Sequence, residues 1–108
     1  PGFASVGASE AELTALGVPF RTAKYPFDDH GKSLVMDETS GFVKLTADAR
    51  SGEILGASIV GPEAAELIHE IVVAMHFHAT AADLAAVPHY HPTLSEIWTY
   101  PAEELASS

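Results

Sequence analysis

Two stretches, Gly41-Phe42-Val43-Lys44-Leu45-Thr46-Ala47 and Glu53-Ile54-Leu55-Gly56-Ala57-Ser58-Ile59-Val60, flank a turn-rich segment over residues 48–52. Strand-like patterns on either side of a polar turn with Ser51-Gly52 at its tip predict a β-hairpin. Residues 18–27 alternate less regularly before Pro26 and predict a further strand, with the proline marking an edge or an end. Residues 28–40 are polar and glycine-bearing apart from 34–36, and read as a connection with room for one short strand.

Helical spacing takes over after Gly61. Pro62 sits in a first turn, and Ala64, Leu67, Ile68, Ile71, Val72 and Met75 recur at the period of one helix, predicted over residues 62–77. Glu63, Glu66 and Glu70 fall on one narrow stripe. Val73, Ala74 and Phe77 widen the apolar surface beyond the single face that a surface helix buries. Such a helix needs cover on two sides, so a partner subunit is the expected source of the second. Shorter helices are predicted where capping boxes occur: Ser9 with Glu12 before a stop at Gly17, Thr80 with Asp83 before residues 84–87, and Thr93 with Glu96. The last of these would carry Leu94, Ile97, Trp98 and, beyond an interruption at Pro101, Leu105. The pattern is α+β: an antiparallel sheet of three to five strands with helices packed on one face.

A chain of 108 residues with 47% apolar side chains is one compact domain, residues 1–108. Its first residue is Pro1, which suggests a piece of something longer. The formal charge of −10 repels phosphate backbones and anionic lipid, so no nucleic acid and no membrane is expected as partner. No apolar run approaches the roughly 20 residues that span a bilayer, and a cytoplasmic location is expected. Cysteine is absent, which excludes disulfides, thiolate nucleophiles and cysteine-ligated metals within these residues. There is no Gly-x-Ser-x-Gly elbow and no glycine-rich phosphate fingerprint.

Six histidines invite a metal reading, especially His76-Phe77-His78 and His89-Tyr90-His91. Residues two apart on a helix point to different sides, and Glu66-Leu67-Ile68-His69 lacks the second copy that a di-iron site needs. No metal is expected; His30, His69, His76 and His78 read as solvated or hydrogen-bonded structure, and His89 as a packing or supporting residue. The remaining candidate is His91-Pro92-Thr93-Leu94-Ser95-Glu96. A residue before proline is held extended, and the peptide that follows it has an appreciable cis population. Glu96 lies at the third position of the helix capped by Thr93, close enough in sequence to fold back on His91. A carboxylate on one ring nitrogen sets the tautomer and raises the basicity of the other, which suits general acid/base catalysis. The competing reading makes Glu96 a capping residue and His91 part of the turn.

Residues 91–96 resemble the C-terminal signature of the FAD-dependent pyridine nucleotide-disulfide oxidoreductases, most closely the dihydrolipoamide dehydrogenase branch. Ala4-Ser5-Val6-Gly7, Gly41-Phe42-Val43-Lys44-Leu45, residues 54–61 and Ala64-Ala65-Glu66-Leu67-Ile68 resemble blocks of that family's interface domain, in its order. The resemblance implies a homodimerisation domain, inactive alone, whose FAD and NAD(P) domains lie outside these residues. It implies His91 as acid/base for dithiol chemistry in the partner subunit, with Glu96 as its orienting carboxylate. It also implies a cis peptide at His91-Pro92, with these two residues approaching the partner's flavin. Related mercuric reductases and soluble transhydrogenases generally lack the histidine-proline pattern, which tilts the implied substrate toward a dithiol or disulfide. Tyr90 and Trp98-Thr99-Tyr100-Pro101 depart from the usual ending and leave that substrate open. Two other readings stand beside this one: a non-catalytic acidic α+β dimerisation module, and a small metal-binding protein using His76, His78, His89 and His91.

Overall fold

The computed structural model describes residues 2–29 and 41–107, so most of the predicted connection over 28–40 lies outside the described residues. Four strands, β1 (Gly2–Gly7), β2 (Phe20–Pro26), β3 (Phe42–Asp48) and β4 (Ile54–Gly61), form one antiparallel sheet in the order β1-β4-β3-β2. The predicted hairpin is β3-β4. Asp48 closes its turn by accepting the backbone N–H groups of Arg50 and Ser51 at 2.7 and 2.9 Å. Those bonds favour the ionised carboxylate and hold the Asp48 carboxyl below its ordinary range. β1 completes the sheet by pairing along its whole length with residues 56–61 of β4. It comes so close that a Cβ on Gly56 would lie 2.4 Å from the Ala8 carbonyl oxygen, a position only glycine fits.

Alternation gives the sheet two different faces. Ala23, Val43, Leu45, Ala57 and Ile59 point into the core, where Phe27, Ile54, Ile71, Ile97, Trp98 and Pro101 are also buried. Thr22, Lys44, Thr46 and Ser58 share the opposite face. The helix α1 (Glu10–Ala15), with the expected Ser9-Glu12 capping box, lies over that polar face. Glu10 joins it to the sheet by accepting from Lys44 Nζ and Thr22 Oγ1, each at 3.0 Å. These two donors hold the Glu10 carboxyl below its ordinary range.

On the core side the predicted helix over 62–77 is two helices, α2 (Ala64–Leu67) and α3 (His69–His76). It starts later than the pattern suggests because Glu63 adopts a left-handed conformation (φ 54°) after Gly61, so residues 61–63 make a turn. It breaks at Ile68 because the Leu67 carbonyl, the natural acceptor for Ile71 N–H, accepts the Trp98 indole N–H at 2.9 Å instead. Ile71 N–H turns to the Ile68 carbonyl at 2.9 Å. A side chain inserted into the ladder is a recognised cause of helix interruption.

The remaining elements are α4 (Ala81–Ala86), capped by Thr80 and Asp83 as expected, a 3-10 turn (Leu94–Trp98), and α5 (Thr99–Ala106). Pro101 does not interrupt the last helix. It lies in the first turn of α5, where a missing N–H costs no intrahelical bond, and it is buried. α5 packs on β2, β3 and α4. Tyr100 stacks on Tyr25 of β2 with ring centroids 4.3 Å apart, and Arg21 donates to the Leu105 carbonyl at 3.2 Å.

Candidate functional site

Residues 87–98 form a strap between α4 and α5, and several hydrogen bonds within it fix its course. Val87 leaves α4 in an extended conformation, and its carbonyl accepts the backbone N–H of His89 at 2.9 Å. The His91-Pro92 peptide is cis. Thr93 Oγ1 donates to the Tyr90 carbonyl at 2.6 Å and closes the turn. Beyond it, buried Ile97 and Trp98 anchor the 3-10 turn in the core. Trp98 is thereby a core residue, whereas Tyr100 is exposed and stacks on Tyr25.

Glu96 joins its two sequence-based readings. Its Oε1 accepts the Thr93 backbone N–H at 2.9 Å, the capping role, while its Oε2 meets His91 Nδ1 at 2.8 Å. An ionised carboxylate only accepts, so Nδ1 carries a hydrogen, and in the neutral ring Nε2 keeps its lone pair. The His91 side chain is 80% exposed and that of Glu96 only 19%. The orienting group is thus recessed and the imidazole is presented outward. The arrangement can take a proton from, and return one to, a group that approaches from outside the subunit.

The other histidines go elsewhere. His78 pairs with Glu53 at 3.1 Å on the surface, and His76 lies edge-on to Phe77. His69 is exposed where α3 begins, and His30 lies outside the described residues. Among the described residues no group of three metal-ligating side chains comes together. His89 meets Glu70, a pairing that sequence reasoning missed. Glu63 and Glu66 are exposed, but Glu70 turns inward from the same predicted stripe. Burial pushes the Glu70 carboxyl above its ordinary range, against the downward pull of His89. The only sequence signal was the helix's excess of apolar residues, which leaves little room for a solvated glutamate. A groove of about 420 Å³ lies between β1, α1 and the polar face of β3, away from His91, and its charged residues are already partnered, Glu10 with Lys44 and Glu12 with the Ser9 backbone N–H.

Comparison with known proteins identifies the family of the fold. The family model described as "Pyridine nucleotide-disulphide oxidoreductase, dimerisation domain" matches residues 1–102. The chain belongs to that family. It is 44% identical over 96 residues to dihydrolipoyl dehydrogenase 1, mitochondrial, of Arabidopsis thaliana, covering 89% of this chain and 19% of that protein. It is also 44% identical over 96 residues to dihydrolipoyl dehydrogenase 3 of Pseudomonas putida, covering 89% of this chain and 21% of that protein. This dimerisation domain therefore spans about a fifth of the length of the curated relatives it matches. Among solved structures, LpdA from Mycobacterium tuberculosis superposes with a TM-score of 0.88 at 31% identity, covering 95% of this chain and 22% of that one. The fold is the expected α+β interface-domain fold of flavin disulfide reductases. No helix among the described residues is long and apolar enough to cross a membrane.

Proposed function

We propose that this chain is the dimerisation domain of a flavin-dependent disulfide oxidoreductase of the dihydrolipoamide dehydrogenase type, and that it lends His91 and Glu96 to the active site of the partner subunit. The observation that carries this reading is the His91-Glu96 pair: a recessed carboxylate on Nδ1 and an exposed ring whose Nε2 is left as a base. A base presented this far outward suits a reaction completed by another subunit. Apolar exposure at Val72, Val73 and Phe77, on α3 and just beyond it, supports a homodimer because water is a poor neighbour for that surface.

His91 Nε2 would take the proton of a substrate thiol. The resulting thiolate attacks one sulfur of an active-site disulfide, forms a new sulfur-sulfur bond and releases the other sulfur as thiolate. Glu96 stabilises the imidazolium formed in that step, and the same proton is returned when the chemistry reverses. The cysteines of that disulfide lie in other domains, since this chain has none. FAD and NAD(P), held by those domains, supply the hydride and electron transfer. What this chain offers the flavin is contact rather than a cradle: His91 and Pro92 are exposed and can abut a ring from outside, whereas the sequence holds no glycine-rich turn for its phosphates. The domain alone is expected to be inactive, and a cytoplasmic location is part of this reading.

The test is His91→Gln in the full enzyme that carries this domain. Turnover of a dithiol substrate should fall about 100- to 10,000-fold, the usual loss of an acid/base, with flavin absorbance per subunit unchanged. Unaltered turnover would return His91 to a structural role.

A further inference from the structure

His89, two residues before His91, faces the other way. Its side chain is only 6% exposed, against 25% for Glu70. Its Nδ1 lies 3.0 Å from the Val87 carbonyl and 3.1 Å from Thr99 Oγ1, and its Nε2 meets Glu70 Oε2. A carbonyl can only accept, so Nδ1 carries a hydrogen. Nε2 and Glu70 then hold one proton between them, as imidazolium with carboxylate or as neutral imidazole with carboxylic acid, and either form keeps the bond.

This ring connects three separate pieces of the fold. Glu70 comes from α3, Thr99 from the start of α5, and the Val87 carbonyl from the strap itself. On the far side of His91 the strap is held again, by Thr93 on Tyr90 and by Glu96 on Thr93. His91 thus projects from a short span of chain fixed at both ends. The second fixation is local. The first reaches across the domain to α3, whose outer surface carries the exposed Val72 and Val73.

We propose that Glu70, His89 and Thr99 form a positioning clamp for His91, setting the strap so that the His91 ring keeps its Nδ1 on Glu96 and its Nε2 outward. The clamp deepens the acid/base reading and rests on it for its functional meaning. Glu70 and His89 are positioning residues: the proton they share stays inside the domain, and the ring they orient is the one two residues further on.

The test is the ring-nitrogen ¹⁵N spectrum of His91 in this chain, recorded near neutral pH and not at alkaline pH, which would strip the proton that His89 and Glu70 share. The unaltered chain should show His91 with its hydrogen on Nδ1. Glu70→Ala should shift the tautomer balance away from Nδ1 by about two- to tenfold, the change in equilibrium that goes with one hydrogen bond. Glu70→Gln should restore it, because its amide can donate to the His89 Nε2 lone pair. Thr99→Val, which keeps the volume and removes one partner, should give a smaller shift in the same direction and serves if Glu70→Ala does not fold. If the His91 spectrum stays unchanged in a folded Glu70→Ala or, failing that, in Thr99→Val, the clamp is overturned. Because the readout is the geometry of His91 and not turnover, it is independent of the His91→Gln test. The clamp can fail with the acid/base role intact, or hold with that role refuted.

Discussion

The domain contains two histidine-carboxylate pairs within one strap, alike in chemistry and opposite in environment. His91 meets Glu96 five residues on and stands in solvent, while His89 meets Glu70 nineteen residues back and is sealed between α3 and α5. The difference shows that a histidine-carboxylate pair has no fixed function. Where the ring is open, its free nitrogen can exchange a proton with a visiting group. Where both nitrogens are occupied inside the protein, the same pair can only hold parts of the chain together.

The largest effect that can break this contrast is kinetic. In the full enzyme, the loss from His91→Gln should exceed that from Glu96→Gln, which should slow turnover about ten- to hundredfold because the ring remains but its orientation loosens. A greater loss from Glu96→Gln would make the carboxylate, and not the imidazole, the working group.

Stability should rank the pairs in the opposite order. His89→Ala leaves a half-buried carboxyl without its partner and should cost about 1–3 kcal/mol in urea unfolding, whereas His91→Ala at an exposed position should cost under about 0.5 kcal/mol. Equal costs would erase the distinction between a holding pair and a presented one.

A smaller effect is the pH dependence of unfolding. Burial raises the folded-state pKa of Glu70, so the folded domain binds that proton more readily than the unfolded chain does. Stability relative to Glu70→Gln should therefore decline as pH rises from the ordinary carboxylate range through the raised value. Glu10 has the opposite sign. Its depressed pKa gives stability that is present above the ordinary carboxylate range and lost as pH falls through the folded value. Glu10→Gln should cost under about 1 kcal/mol at neutral pH, because its bridge to Lys44 is half in solvent. Paired pH series of urea unfolding for the two variants should slope in opposite directions.

The apolar surface on α3 gives a further check. Sedimentation of this domain at micromolar concentration should show a dimer, and Val73→Asp with Phe77→Asp should shift it toward monomer without changing the circular dichroism spectrum. A monomer before substitution would count against that surface as the dimer contact.

Much of the site was legible because it is local. Thr93, Glu96, Pro92 and His91 lie within six residues, so the capping position of Glu96 and the extended conformation before proline already bring the carboxylate toward the ring. The hairpin and the capping boxes at Ser9 and Thr80 were legible for the same reason, since a turn and its caps are settled by neighbours in the chain. The sequence by itself therefore determined the β3-β4 hairpin, the strand at β2, the capped helix starts, and that one histidine has a carboxylate beside it; it predicted no strand where β1 lies and ran the helix over 62–77 unbroken.

Only the tertiary structure decided the rest. It paired β1 with β4 across some fifty residues of chain, and it brought the Trp98 indole onto the Leu67 carbonyl, which broke a helix that its own periodicity would have continued. It also turned Glu70 out of a polar stripe and onto His89. These contacts join residues that no short-range spacing relates. They form because burying Trp98, Ile97 and Ile71 in one core brings distant polar groups out of water together, and each must then find a partner there.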